Sequence, residues 1–158
     1  MDFDYKAIVA YDSKRGIGKD MTIPWYLPED LKRMKNLTKG QDLIMGSKTF
    51  QTIIDESGKP LPNRKHIVLS KKLNHLNYEN TFLFNDIEDV KKQFTNAWIF
   101  GGSYIYDLFL PYTKQIYATE IDNDYNCDTF FPNIDLNDWK ISEVEQKEGF
   151  KFVLYIRK

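Results

Sequence analysis

The stretch AWIFGGSYIYDLFL, residues 97–110, contains the change of pattern that decides the fold. Its first four residues form an apolar run that is typical of a buried strand. Gly101 and Gly102 interrupt the run, and a helical pattern follows from Ser103 to Leu110. A strand that leads directly into a helix is typical of a parallel sheet with helices on its faces.

The same alternation extends over the first two thirds of the chain. Further strands are predicted at residues 5–11, 43–45, 65–70 and 81–84, and helices at 28–40, after Gly46 and at 86–94. The last third differs, with strands at 115–121, 140–146 and 150–156 and no helix between them. The closing pair predicts an antiparallel hairpin. We therefore expect one α/β domain, residues 1–158, with a mixed, mainly parallel sheet.

The composition is that of a folded globular protein. Of 158 residues, 42% are hydrophobic, and 11 Phe, 10 Tyr and 3 Trp supply bulk for a core, which excludes disorder and a coiled coil. One cysteine excludes an internal disulfide, and His66 and His75 lack metal-ligand spacing, so we expect no metal. Neither a membrane span of about 20 apolar residues nor a signal peptide is evident, which predicts a cytoplasmic protein that binds no membrane.

The charge is unevenly distributed although the net charge is only −1. Residues 48–72 contain six basic groups, Lys48, Lys59, Arg64, Lys65, Lys71 and Lys72, against Asp55 and Glu56, a local balance of 6 − 2 = +4. This segment could face an anionic small molecule, or it could be an ordinary solvated surface. Nucleic-acid binding is disfavoured because it normally needs a strongly basic domain.

A single acid lies on the apolar face of the first predicted helix. At 100° per residue, Asp30 falls among apolar and small side chains, those of Leu27, Leu31, Met34, Leu37 and Thr38. The opposite side carries Glu29, Lys32, Arg33, Lys35 and Asn36. A carboxylate on the apolar face needs a hydrogen-bond partner or a proton, which is typical of a functional acid. The alternative is an acid that only stabilises the first turn of the helix.

Two junctions of strand, glycine and helix indicate a phosphate-bearing ligand. One is Gly101-Gly102, and the other is Gly46-Ser47-Lys48-Thr49. Glycine lets phosphates approach the backbone, and a helix N-terminus supplies N–H groups and a favourable dipole. Each junction alone is more often a simple turn, but two in one α/β domain favour a dinucleotide at the carboxyl ends of the strands.

Several motifs together resemble dihydrofolate reductase. In that family's order, the chain contains Ile8-Val9-Ala10, Gly16-Ile17-Gly18, Pro24-Trp25-Tyr26-Leu27-Pro28-Glu29-Asp30, Ile44-Met45-Gly46-Ser47-Lys48-Thr49-Phe50, Pro60-Leu61-Pro62-Asn63-Arg64, Leu69-Ser70, Phe100-Gly101-Gly102 and Asp128-Thr129-Phe130-Phe131-Pro132. The resemblance covers nearly the whole chain. It implies an eight-stranded mixed sheet flanked by four helices, and an enzyme that reduces 7,8-dihydrofolate to tetrahydrofolate with NADPH in one-carbon metabolism.

The resemblance also implies roles for individual residues. Asp30 matches the active-site acid, Thr119 the hydroxyl that supports it, and Trp25 the indole that orients water beside it. The substrate pocket would be lined by Ile8, Val9, Asp30, Leu31, Met34, Ile53, Leu61, Phe100 and Thr119, with Arg64 holding the α-carboxylate of the glutamate tail. The cofactor groove would be lined by Ala10, Ile17, Gly18, Gly46, Lys48, Thr49, Leu69, Ser70, Lys71, Gly101, Gly102, Ser103, Ile105 and Tyr106.

The same resemblance implies a cis Gly101–Gly102 peptide, a mobile lid from Asp12 to Ile23, and a monomer that antifolate inhibitors bind. Met34, Ser47 and Phe50 depart from the common pattern, which affects pocket width and inhibitor contacts more than the reaction. One rival is a reductase of this fold that acts on a ribosylated pyrimidine in riboflavin synthesis. It would have little need for Arg64 or Asp30. A catalytically silent nucleotide-binding module is the rival from another class, and its signature would be loss of the acid.

Overall fold

The computed structural model describes residues 2–158, and its secondary structure follows the predicted order closely. The helices are α1 Pro28–Thr38, α2 Ser47–Ser57, α3 Ile87–Gln93 and α4 Ser103–Phe109, the last extended by a 3-10 turn at Leu110–Tyr112. The strands are β1 Asp4–Tyr11, β2 Gly16–Gly18, β3 Asp42–Gly46, β4 Lys65–Leu69, β5 Thr81–Phe84, β6 Asn96–Gly101, β7 Thr113–Ile121, β8 Thr129–Phe130, β9 Trp139–Gln146 and β10 Phe150–Arg157.

Eight of these strands form one sheet in the order β5-β4-β3-β6-β1-β7-β10-β9. The pairs from β5 to β7 are parallel, whereas β7 with β10 and β10 with β9 are antiparallel. The predicted mixed, mainly parallel sheet with four helices and a C-terminal antiparallel hairpin is therefore confirmed. Strands β3, β6 and β1 are neighbours, so the glycine ends of β3 and β6 meet at one edge beside β1.

The segment from Asp12 to Ile23, which the resemblance implies is a lid, contains a short strand that the sequence did not predict. Strand β2 lies within it and pairs with β8 in a separate two-stranded sheet. Two of the three β2 residues are glycines, so no alternation of side chains could reveal the strand. Its partner lies more than 100 residues further along the chain.

The core has a separate cluster on each side of the main sheet. Along β1, Tyr5, Ala7, Val9 and Tyr11 are buried in one cluster, while Ile8 packs against the other. Trp98 and Trp139 are both buried. The Ile8 side of the sheet is the one that meets α1, because Met34 and Leu37 of that helix pack against the same cluster. Among residues 2–158, no helix has the length and apolar character that a bilayer crossing requires.

Candidate active site

The acid predicted from helical spacing lies between α1 and β7. Thr119, a buried residue of β7, donates a hydrogen bond of 2.5 Å from Oγ1 to Oδ1 of Asp30. Asp30 lies in the first turn of α1, which begins at Pro28, and proline is favoured there because its missing N–H has no partner in the helix anyway. Within residues 2–158, this is the one side-chain hydrogen bond that the carboxylate receives, and Oδ2 has no protein partner.

The sequence left open whether burial or hydrogen bonding controls the charge of Asp30, and the structure decides it. Burial raises the pKa of Asp30, while the Thr119 hydroxyl and the Arg33 guanidinium oppose the rise and leave it above its usual value. A half-buried acid with one hydroxyl donor is therefore easier to protonate than an exposed one.

Apolar side chains predicted to line the substrate pocket come together beside this acid. Ile8, Met34, Ile53 and Phe100 pack with the buried Leu61 in one cluster. These residues come from β1, α1, α2, β6 and the turn before β4. Such a surface, with one carboxylate at its edge, suits a flat, mostly apolar ring that carries N–H groups.

Two other predicted pocket residues are placed differently. The side chain of Val9 packs into the cluster on the opposite face of the sheet from Ile8. Val9 can therefore contact a ligand on the Ile8 face only through its backbone. Leu31 is 41% exposed and lies at the rim of α1. Trp25 packs with Ala10, Leu27 and Tyr125 against the end of the β7–β10 pair.

Arg64 is buried and lies just before β4, where three hydrogen bonds hold its guanidinium. Its Nε donates to Thr38 Oγ1 at 3.0 Å, Nη1 to the Pro62 carbonyl at 2.5 Å and Nη2 to the Lys35 carbonyl at 2.6 Å. Burial lowers the pKa of this guanidinium, although an arginine stays charged in any case. Three of its five N–H groups are used in fixing its orientation, and two remain for an anion.

The two glycine junctions lie next to one another, as expected for adjacent parallel strands. Met45 of β3 is in register with Gly101 of β6, and a Cβ added to Gly46 would lie 3.9 Å from the Gly101 carbonyl oxygen. The Gly101–Gly102 peptide is cis, as the resemblance implied. The Tyr106 hydroxyl holds the Gly101–Gly102 junction in place, because it lies within hydrogen-bonding distance of two backbone carbonyl oxygens. The distances are 2.7 Å to the Ile8 carbonyl and 2.9 Å to the Phe100 carbonyl.

The remaining cofactor candidates lie on the neighbouring ends of elements. Lys48 and Thr49 are in the first turn of α2, Leu69 and Ser70 are at the end of β4, Lys71 is exposed just beyond them, and Ser103 and Ile105 begin α4. Ile17 and Gly18 belong to β2, and Ala10 lies near the end of β1. In the described part of the chain, no group of three or more His, Cys, Asp or Glu side chains is placed to hold a metal ion.

The helical spacing placed Arg33 opposite the apolar face of α1, but its long side chain reaches aromatic rings of the sheet. Its guanidinium carbon lies 4.2 Å from the ring centre of Phe152 and 5.8 Å from that of Tyr117. From there it opposes the rise in the pKa of Asp30. Its position three residues after Asp30 was the available signal, because residues three apart are neighbours on a helix.

Comparisons with known proteins show the family of this chain. The protein-family model described as dihydrofolate reductase matches residues 4–156. The dihydrofolate reductase of Staphylococcus haemolyticus is 42% identical over 147 residues, which are 91% of this chain and 84% of that protein. That of Staphylococcus aureus is 39% identical over 141 residues, 89% of this chain and 86% of the relative.

A solved structure is similar over almost the full length. Dihydrofolate reductase from Enterococcus faecalis, complexed with NADP(H) and RAB-propyl, superposes with a TM-score of 0.82 at 29% identity, covering 98% of this chain and 96% of the other. The chain therefore belongs to the dihydrofolate reductase family, a class of NADPH-dependent oxidoreductases.

Proposed function

We propose that this protein reduces 7,8-dihydrofolate to 5,6,7,8-tetrahydrofolate with NADPH, and so serves one-carbon metabolism as a single-domain monomer. The observation that carries the proposal is the hydrogen bond between half-buried Asp30 and buried Thr119, at the edge of the apolar cluster of Ile8, Met34 and Phe100. This arrangement offers one hydrogen-bonding carboxylate to a planar ring system, which is what a pterin requires. Antifolate inhibitors should enter the same cleft.

Asp30 binds and orients the pterin in this proposal. Its carboxylate accepts hydrogen bonds from the 2-amino group and ring N3, while the Thr119 hydroxyl donates to Oδ1. The bound anion raises the proton affinity of N5, and a water molecule oriented by Trp25 delivers the proton. The carboxylate is thus neither a nucleophile nor the immediate proton donor.

The edge of the sheet that carries Gly46, Gly101 and Gly102 fits a dinucleotide cofactor. A Cβ added to Gly102 would meet no atom within 4 Å, so open space adjoins the backbone there. Helix α2 begins at Gly46 with no side-chain cap and no acid in its first turn, which leaves its N–H groups to an anion. Lys48, Thr49, Ser70 and Lys71 would hold the phosphates, and the cofactor would supply a hydride for pterin C6.

Arg64 sets the preference for a substrate with a carboxylate tail. Three hydrogen bonds to Thr38, Pro62 and Lys35 fix its guanidinium, so the free N–H groups are already oriented. An oriented guanidinium can grip a carboxylate with two parallel hydrogen bonds. A pterin without the glutamate tail should therefore bind more weakly than dihydrofolate.

One assay tests the proposal. Purified protein is mixed with NADPH, and the loss of nicotinamide absorbance is followed after dihydrofolate is added. Oxidation that depends on dihydrofolate, and that is slower with NADH, supports the proposal. Oxidation with a ribosylated aminopyrimidine instead of dihydrofolate would favour the rival reductase, and cofactor binding without any oxidation would favour the silent module.

A further inference from the structure

Asp12 is a buried acid that the proposed mechanism does not use. It is 2% exposed and directly follows β1. Its Oδ1 accepts the backbone N–H groups of Lys14 at 2.9 Å and Gly16 at 2.7 Å, and its Oδ2 accepts that of Tyr125 at 3.0 Å. One carboxylate thus joins two segments, residues 12–18, called here the Gly16 arm, and residues 122–128, called the Tyr125 loop.

The Gly16 arm and the Tyr125 loop both carry candidate active-site groups. The Gly16 arm contains Ile17 and Gly18, which are predicted to contact the cofactor. In the Tyr125 loop, the ring of Tyr125 lies 5.3 Å from that of Trp25, centre to centre. Asp12 therefore reaches the water-orienting indole through Tyr125 and the cofactor groove through Gly16.

The junction around Asp12 is packed too closely to adjust. A Cβ added to Gly16 would overlap with Cβ of Cys127 and lie 2.6 Å from its Sγ and 2.9 Å from Oδ1 of Asp12. Burial raises the pKa of the Cys127 thiol, and the Asp12 carboxylate raises it further, so the thiol stays protonated. A neutral thiol can donate to the carboxylate, which adds to the three backbone donors.

We propose that Asp12 is a positioning residue for hydride transfer, which acts by holding the Gly16 arm and the Tyr125 loop in one arrangement over the active site. The inference rests on the proposed function. Both carboxylate oxygens are occupied by the protein's own N–H groups, so Asp12 binds no ligand and acts only through the residues it holds. Small displacements of such supports are costly, because a misplacement of about 1 Å can reduce a rate on the order of 10²-fold.

The test compares Asp12→Ala and Asp12→Asn with the control Asp124→Asn. Asp124 is exposed and also joins these two segments, through an ion pair of 3.1 Å with Lys14. The first measurement is amide hydrogen exchange at Gly16 and Tyr125, without ligands. We expect exchange to become about tenfold faster in Asp12→Ala, to change less in Asp12→Asn, which keeps one acceptor oxygen, and to stay within about twofold in the control.

The second measurement is the single-turnover rate of hydride transfer at saturating NADPH and dihydrofolate. We expect a fall of about tenfold in Asp12→Ala, with the NADPH dissociation constant changed less than about threefold. A loss of stability alone would leave the rate of the folded fraction unchanged. If Asp12→Ala does not fold, Asp12→Asn and Tyr125→Ala give the same test, since Tyr125→Ala removes the ring from Trp25 and leaves the backbone N–H in place.

Unchanged exchange at Gly16 and Tyr125 would overturn the inference, because the two segments would then not depend on Asp12. Faster exchange with a hydride-transfer rate within about twofold of wild type would overturn it as well, as would an equal fall in the control. In each of these outcomes the wild-type protein is active. Failure of the proposed function is different, because the wild type itself would then not oxidise NADPH when dihydrofolate is added.

Discussion

Asp12 is buried and Asp30 is half-buried, and the pKa values of these two acids are shifted in opposite directions. Burial by itself would raise the pKa of Asp12, but the backbone N–H groups of Tyr125, Gly16 and Lys14 outweigh it and hold the pKa below its usual value. Asp30 receives one hydrogen bond, from Thr119, and its pKa stays above the usual value.

The difference shows that the number of donors, rather than burial, decides how a carboxylate in this protein is used. Both carboxylate oxygens of Asp12 accept hydrogen bonds from backbone N–H groups, so this acid can only stabilise the segments it joins. Asp30 keeps an oxygen that has no protein partner among the described residues and that is not buried, so a ligand with N–H groups can reach it. A carboxylate that keeps an oxygen without a protein donor beside an apolar surface thus indicates a ligand-binding group. A carboxylate whose two oxygens both have protein donors indicates a structural role.

Of the substitutions that test this difference between Asp12 and Asp30, Asp30→Asn should have the largest effect. It keeps the shape but removes the charge that raises the proton affinity of N5, so kcat/KM for dihydrofolate should fall at least about 10²-fold, the scale of acid–base assistance. NADPH affinity should be nearly unchanged. The control is Glu29→Gln in the same helical turn, where Glu29 makes an exposed ion pair with Lys147. Near-wild-type hydride transfer in Asp30→Asn, followed from pH 5 to 9, would refute the assignment.

His66 extends the comparison to a buried base. It is fully buried, Nε2 accepts the Leu61 N–H at 3.2 Å, and burial lowers the pKa to about 4, with the nearby Arg64 guanidinium acting in the same direction. The Arg64 carbonyl opposes the decrease, but Nδ1 forms no hydrogen bond of acceptable geometry within residues 2–158. His66 is therefore neutral in the folded protein and helps to hold the turn before β4.

The folded state binds fewer protons at this site than the unfolded state, whose histidine titrates near pH 6.5. The stability associated with neutral His66 is therefore complete above pH 6.5 and is lost as the pH falls from 6.5 towards 4, by up to about 3 kcal/mol. Urea unfolding of wild type and His66→Gln across this range measures the difference. Gln keeps an acceptor and does not titrate, so parallel stability curves for the two proteins would contradict the prediction.

The contrast also explains how much of the site the sequence could predict. Asp30 was found by angular arithmetic on α1, and the glycine junctions by their place between strand and helix, because both signals are local. The role of Asp12 was not found, since its third donor, Tyr125, lies 113 residues away. Nothing in a polar loop distinguishes an acid that backbone N–H groups will surround from one that faces water.

The position of the Arg33 side chain also could not be predicted from local sequence. A helical wheel places its Cβ opposite the apolar face, but the long side chain reaches over Phe152, which lies in the last strand. Arginine often covers apolar surface in this way while its charge stays accessible. The strands and helices could be placed within a few residues because periodicity is local, whereas β2 depends on pairing with β8 and could not.

Substitutions of the two acids should change the free energy of unfolding in opposite directions. Asp12→Asn should lower the free energy of unfolding at pH 7 by about 1–3 kcal/mol, because backbone donors lose an acceptor. Asp30→Asn should raise it by about 0.5–1 kcal/mol, because the charge of a group with a raised pKa costs stability above that pKa. The benefit from Asp12 is lost as the pH falls through its lowered pKa, and the cost of Asp30 disappears below about pH 4. Changes of the same sign in both variants, measured by urea unfolding, would contradict the donor-counting argument.

Removing the one donor to Asp30 gives the smallest expected effect and the most direct test of the argument. In Thr119→Val the shape is kept and the Oγ1 donor is lost, so the pKa of Asp30 should rise further. Because dihydrofolate binds the anion, its affinity falls once the pH drops below that pKa, and the midpoint of this acid limb should move to higher pH in the variant. Affinity at pH 8 should change by less than about tenfold, as expected for one hydrogen bond. Thr113→Val is the matched control, since Thr113 is equally buried on the same strand and donates to the Phe109 carbonyl instead. An acid limb that moves equally in both variants would mean that the shift reflects a general loosening of β7 rather than the hydrogen bond to Asp30.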